Sequence, residues 1–206
     1  MAGGGGRRPG CDGSAQRPPP RRQDVRVDLI SFPGLTSLPA VDHPALVAPR
    51  VAAALASWPD ASGVAVVEID PDLADTAAMS AAYDLPLDTG VNCVLVAGRR
   101  DGEERIAACL VRADTRADVN RTVKQLLDVR KASFLPMDRA VTESEMEYGG
   151  ITPVGLPATW RLLIDARVPE VPAAIIGSGV RRSKLLLPGA LLAALPGAEV
   201  VEGLAG

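Results

Sequence analysis

Val91-Asn92-Cys93-Val94-Leu95-Val96-Ala97-Gly98 is apolar almost throughout, and after the turn former Asp101-Gly102 comes Arg105-Ile106-Ala107-Ala108-Cys109-Leu110-Val111-Arg112. A run this apolar, without polar alternation, is expected of a central strand covered on both faces. An Asp-Gly pair between two such runs predicts a hairpin. Strands joined by hairpins and interspersed with helices imply a mixed α/β (α+β) fold, a single domain with a mixed sheet flanked by helices.

Working outward from that hairpin, residues 63–70 (GVAVVEID) read as a strand rich in β-branched residues. Asp70-Pro71 ends it and a helix is predicted over roughly 73–83. Upstream, 43–57 has Pro44 near its start and apolar residues on one face, as a helix would. Downstream, Thr115-x-x-Asp118 resembles a capping box ahead of a helix carrying Val119, Val123, Leu126 and Leu127. ASFLP (132–136) reads as a short strand and 138–147 as a polar helix. TWRLLIDA (159–166), AAIIGSG (173–179) and SKLLL (183–187) read as strands, and Pro188 opens a last helix.

Composition bounds the partners. The chain has 206 residues, 47% of them hydrophobic but only 3% aromatic, so Val, Leu, Ile and Ala must build the core. Six aromatic residues cannot form a platform for several stacked bases. Residues 1–24, rich in Gly, Pro and Arg, have nothing to bury and are expected to be a disordered tail, with the folded domain over 25–206. The tail carries five Arg against Asp12 and Asp24, a charge of +3. The net −3 of the whole chain therefore leaves −6 on the remainder. An acidic body argues against broad binding to a DNA or RNA backbone and leaves room for a local basic patch. No apolar run approaches the roughly 18 residues that cross a bilayer, and the arginine pairs near the start have no apolar stretch after them. The expected setting is the cytoplasm, without a membrane partner.

Metal and nucleophile chemistry find little support. Cys11, Cys93 and Cys109 form no CxxC pair and His43 is the single histidine, so no metal site and no cofactor are expected. Cys93 and Cys109 read as buried free thiols. Asp70, Asp72 and Asp75 are read as complementing a helix dipole, not as a carboxylate cluster.

Two loops stand out. Tyr148-Gly149-Gly150-Ile151-Thr152-Pro153-Val154-Gly155 has paired glycines, whose backbone can approach a ligand closely, and its N–H groups could hold an oxygen. An ordinary turn has the same composition. Gly177-Ser178-Gly179-Val180-Arg181-Arg182-Ser183-Lys184 leaves a strand end with three cations that could meet phosphate, although a charged surface hairpin would look the same.

Over residues 62–197 the order of these features resembles the YbaK/EbsC family, related to the editing domain inserted in bacterial prolyl-tRNA synthetases. The resemblance rests on VNCVLV, on ADVNRTVKQLLDV followed by RKASF, and on GGITPVG, LLIDA, GSG and LPGALLAAL. It implies a partly barrel-like sheet and a trans-acting deacylase that hydrolyses the ester of mischarged tRNA, with no metal. The partner would be the 3′ acceptor end of aminoacyl-tRNA, with an aminoacyl-tRNA synthetase as a further one. By resemblance the ester is bordered by Gly149, Gly150, Ile151, Thr152 and Pro153, with Gly177, Ser178 and Gly179 across the pocket. Backbone N–H groups of Gly149 and Gly150 would meet the oxyanion, and Thr152 and Ser178 would orient water or ribose. Arg181, Arg182 and Lys184 would meet terminal phosphates. Where active relatives carry lysine, this chain has Asn92. Lys184, at a position acidic in some relatives, is expected to return a cation to the pocket. A silent module that binds charged tRNA or an aminoacyl-nucleotide ligand without cleaving it is the alternative that Asn92 favours, and an unrelated regulatory or structural role on the same scaffold is a third.

Overall fold

The computed structural model describes residues 1–3 and 29–206 of the chain. The expected tail over 1–24 and Cys11 therefore lie almost wholly outside the described residues. In chain order the elements are β1 (Leu38–Pro39), α1 (Pro49–Ser57), β2 (Ala65–Glu68), α2 (Thr76–Ala82), β3 (Val91–Arg100) and β4 (Glu103–Arg112). There follow α3 (Lys124–Leu126), β5 (Ala132–Phe134), α4 (Met137–Ser144), β6 (Arg161–Asp165), β7 (Ala174–Gly177), β8 (Ser183–Leu187), α5 (Gly189–Ala193) and β9 (Ala198–Val201). Among the described residues no helix is long and apolar enough to cross a membrane.

The fold is mixed α/β, but the strands form two sheets where one was expected. A five-stranded sheet has the order β5-β3-β4-β6-β9 and a four-stranded one the order β1-β2-β8-β7. The β3–β4 hairpin is antiparallel from Val91 opposite Arg112 to Arg100 opposite Glu103, turning at Asp101-Gly102 with both residues at positive φ. β6 and β9 add to it in parallel, which makes that sheet mixed, whereas every pair in the smaller sheet is antiparallel. The larger apolar cluster lies between the sheets and includes Leu95, Leu110, Ile164, Leu185 and Leu187. An isolated parallel bridge between Gly90 and Ile175 joins the two sheets where β3 begins.

Three local expectations need correction. The helix foreseen over 43–57 is a short 3₁₀ turn (Pro44–Leu46) followed by α1, because Pro49 forces Ala48 into the extended region and can only start a helix. The cap near 118 is Asp118 itself, whose carboxylate accepts from the N–H groups of Arg121 and Thr122. The Thr115 hydroxyl turns back to the carbonyl of Arg112. α4 stops at Ser144, not at 147, since Glu145 is left-handed. That early stop releases Met146–Gly150 as the loop from which the site is built. The strand β9 and the two-residue β1 had no alternation long enough to be read.

β8 carries one polar outlier. All five residues of Ser183-Lys184-Leu185-Leu186-Leu187 are buried, as a strand between two neighbours should be, and Lys184 is among them. Its alternation partner Leu186 packs with Met79 and Leu85 beneath α2, so the lysine side chain rises toward the start of that helix.

Candidate active site

A cleft of about 360 Å³ opens between the start of β3, the N-terminal end of α2, the end of β7 and the loop after α4. Its polar groups come from Asp75, Thr76, Asn92, Gly149, Arg181 and Lys184, and its apolar floor from Met79, Leu85, Val91 and Ile175 among others.

The two small-residue loops converge to form one wall. Gly179 N–H donates to Gly150 O at 2.7 Å, and Glu147 N–H donates to Gly179 O at 2.9 Å. The approach is close enough that a Cβ on Gly177 would lie 2.2 Å from Gly150 O, and one on Gly150 would lie 2.7 Å from the backbone of Val180. Glycine at both positions follows from contact, not from φ. Gly149, by contrast, has φ +82° and lines the cleft. Its N–H makes no hydrogen bond among the described residues, so it remains available to an oxygen of a ligand.

Lys184 is 5% exposed, and its Nζ donates to Ala74 O at 2.6 Å and Gly149 O at 3.1 Å. Two carbonyls leave one of three ammonium donors for the cleft. Burial lowers its pKa to about 8; the Asp75 carboxylate opposes this shift and the Arg181 guanidinium adds to it. The lysine thus holds a proton at neutral pH but not far above it. On the facing wall, Thr76 Oγ1 donates to Asn92 Oδ1 at 2.9 Å, which leaves the amide NH₂ of Asn92 without a partner among the described residues. Ala74 and Thr76 flank Asp75, so one short segment holds both the lysine and the asparagine.

Arg181 ties the mouth together. Its backbone N–H donates to Glu147 Oε2 at 2.6 Å, and its guanidinium bridges Tyr148 O and Pro71 O. Tyr148 lines the same mouth with 60% of its surface exposed. Cys93 is a half-buried wall residue whose thiol is pushed well up by burial and by the neighbouring Cys109, so it stays neutral. Cys109 is buried and free, its thiol pushed up to about 12 by the same desolvation.

Of the residues singled out in the sequence, Asn92, Gly149, Ile151, Gly177, Arg181 and Lys184 line the cleft. The others do not reach it. Gly150 spends its N–H on Glu147 O at 2.9 Å, which removes the oxyanion role expected of it. Ser178 is fully buried, and its hydroxyl is shared with Ser183 Oγ at 2.7 Å and Ser183 O at 2.9 Å, so it braces its own loop. Thr152 is fully buried, its hydroxyl without a partner among the described residues and its N–H on the sulfur of Met146. Gly179 packs on Ala48, and Pro153 lines a separate hollow with Trp160. Arg182 turns away to the carbonyl of Ala45, and Lys184 lies too deep to stand among exposed phosphate contacts. His43, bonded through Nδ1 to Pro39 O, is not part of the cleft. Sequence reading missed Asp75, Thr76 and Tyr148. Asp75 and Thr76 look like any helix start, and the tyrosine merely precedes a glycine pair.

A family model for the aminoacyl-tRNA editing domain matches residues 70–195, more than half of the chain. Among solved structures, the fold is similar to a crystal structure provisionally described as a trans-editing enzyme for prolyl tRNA synthetase. The two share 21% identity with a TM-score of 0.64, over 75% of this chain and 94% of that one. A structure connected with epitope backbone grafting onto scaffold proteins has 21% identity and a TM-score of 0.62 over the same shares. A third, described as a hypothetical protein, has 19% identity and a TM-score of 0.60 over 68% of this chain and 90% of that one. At these identities the likeness is one of fold. No curated protein sequence matches the chain significantly.

Proposed function

The chain belongs to the aminoacyl-tRNA editing domain family, and from that premise we propose that it is a trans-acting deacylase of mischarged tRNA working in the cytoplasm. The reaction adds water across the ester. A water oxygen bonds to the acyl carbon, the bond to the ribose oxygen breaks, and that oxygen leaves with a proton as the free 3′-terminal hydroxyl. An aminoacyl ester is already activated, so positioning and stabilisation of the oxyanion supply most of what is needed.

The single observation that carries this reading is the placement of Lys184. A buried ammonium with one donor to spare is bonded to Gly149 O, and the N–H of Gly149 and the amide NH₂ of Asn92, both without a partner among the described residues, belong to residues lining the same cleft. Three such donors on the lining of one cleft would suit the negative oxygen of a tetrahedral intermediate. Asn92 alone is neutral. In this reading Lys184 supplies the charge, since a charge-assisted hydrogen bond is about twice as strong as a neutral one. Arg181 at the rim meets the terminal phosphate, the free ribose hydroxyl of the substrate helps orient water, and Tyr148 offers its face to the terminal adenine. The charging synthetase is a natural partner because its product is the substrate.

The test is a deacylation assay with the full chain over a panel of correctly and wrongly charged tRNAs. Turnover of at least one mischarged tRNA well above the buffer rate, and lowered about 10²–10³-fold by Lys184→Met, is expected. Tight binding of charged tRNA with no turnover anywhere in the panel would instead establish the silent binding module, the reading that the neutral Asn92 favours.

A further inference from the structure

The acyl group of an aminoacyl ester carries its own positive charge, and a cleft that already holds two cations must answer it. Three ionised side chains line this one: Arg181, Lys184 and Asp75. Asp75 is the sole anion among them. Its Oδ1 caps α2, accepting from the N–H groups of Ala77 at 3.0 Å and Ala78 at 3.2 Å. Both cap bonds use the same oxygen. Oδ2 makes no hydrogen bond or ion pair among the described residues, although Lys184 is anchored on the carbonyl of the preceding residue, Ala74. Asp75 is exposed and lines the cleft, so a ligand there can reach the oxygen that the cap leaves free.

Building on the deacylase reading, we infer that Asp75 recognises the free α-amino group of the acyl chain, so that the site selects unblocked aminoacyl esters and discriminates against N-acylated ones. The geometry divides the labour along one short segment. Ala74 O holds Lys184 and Thr76 fixes Asn92, with Asp75 between them, so that in this inference its Oδ2 takes the ammonium two bonds from the acyl carbon while Lys184 takes the ester oxygen. Acylation of the amine removes its charge and adds bulk beside α2. The carboxylate is then left desolvated by the ligand without a cation in return, which is the condition under which a polar site rejects an analogue. Because Asp75 is open to solvent in the free protein, the effect should be at the lower end for a hydrogen bond to a charged group, about tenfold.

The experiment uses the aminoacyl-tRNA turned over fastest in the panel and the same molecule N-acetylated, each rate divided by its own rate in buffer. Wild-type protein is expected to prefer the unblocked ester about tenfold or more. Asp75→Asn, which keeps an oxygen for the helix cap, is expected to bring that preference close to one without lowering the melting temperature by more than a degree or two. A purely structural role would lower the melting temperature and leave the preference in place. Equal normalised rates for the two esters in the wild type, or an undiminished preference in Asp75→Asn, would overturn the inference while leaving the deacylase reading standing. If the wild type turns over nothing, the deacylase reading fails, and equilibrium binding of the most tightly bound aminoacyl-tRNA of the panel and of its N-acetylated form decides the inference by the same ratio.

Discussion

Thr76 gives its hydroxyl hydrogen to the carboxamide oxygen of Asn92 across 2.9 Å, from the first turn of α2 to the second residue of β3. An amide side chain can present either end to a cleft, and this bond chooses the end. With the oxygen held by Thr76, the two amide hydrogens are the end left free for a ligand. Removing the hydroxyl while keeping the shape should therefore leave the cleft intact and its donor unaimed. Thr76→Val is expected to lower kcat about fivefold with little change in KM, and Thr76→Ser to restore most of the loss. A fall in KM-dependent binding alone, with kcat unchanged, would contradict a role in aiming Asn92.

On the deacylase reading, Lys184 should give the deacylation rate a characteristic pH dependence. Its pKa is lowered to about 8, so the ammonium is present below that pH and lost above it. Measured against the buffer rate, which itself climbs with hydroxide, the enhancement should be flat to about pH 7.5 and decline through pH 8–9. Lys184→Met should lie about 10²–10³-fold lower at pH 7 and lack the decline. An enhancement that rises through pH 8 would mean that the neutral amine acts, as a base.

The same lysine shapes stability in the opposite sense. In the folded chain it releases its proton near pH 8, whereas in the unfolded chain it does so near its ordinary 10.5. Between these values the unfolded state binds more protons, so this group makes the protein more stable as pH rises. The gap converts to about 3 kcal/mol. The stability difference between wild type and Lys184→Met, from urea unfolding, should move by about that amount in favour of the wild type between pH 7 and pH 10.5.

Tyr148 stands largely exposed at the mouth. If the terminal adenine rests on it, Tyr148→Ala forfeits a stacking contact of about 1–3 kcal/mol per base, and KM should rise roughly five- to a hundredfold with kcat little changed. Tyr148→Phe should behave as wild type.

Gly177 has no room for a methyl group: the nearest atom to an added Cβ, Gly150 O, would be only 2.2 Å away. Gly177→Ala must push the two loops apart, and about 1–3 kcal/mol of destabilisation is expected, with loss of activity at temperatures where the protein is still folded. Thermal unfolding and assay together separate the two effects.

Much of the fold could be read from patterns that depend on neighbours in sequence. The VNCVLV and AACLV strands and their Asp-Gly turn obey short-range rules, and so does the helix after Asp75. What escaped depended on contacts distant in the chain. That β8 belongs to a second sheet with β2 follows from packing, and nothing in SKLLL alone says which face its lysine takes. The loops at Gly150 and Gly179 were readable as special because glycine pairs are rare without cause. Which of their atoms are free was not, since Gly150 N–H and the Ser178 hydroxyl are consumed by partners at Glu147 and Ser183. Asp75 and Thr76 are hidden for a related reason: a residue that caps a helix looks the same whether or not its second oxygen faces a cavity.

The tight seam between the loops has a practical corollary for anyone wishing to retune this protein. Where Gly150 and Gly177 meet, the wall is backbone against backbone and offers nothing to exchange. The opposite side is made of ordinary side chains on and beside α2, Met79 and Leu85 among them. On the deacylase reading, altered acyl preference is thus to be sought by substitutions from the helix side, whereas a library spread over the glycine loops would sample mostly proteins of lowered stability.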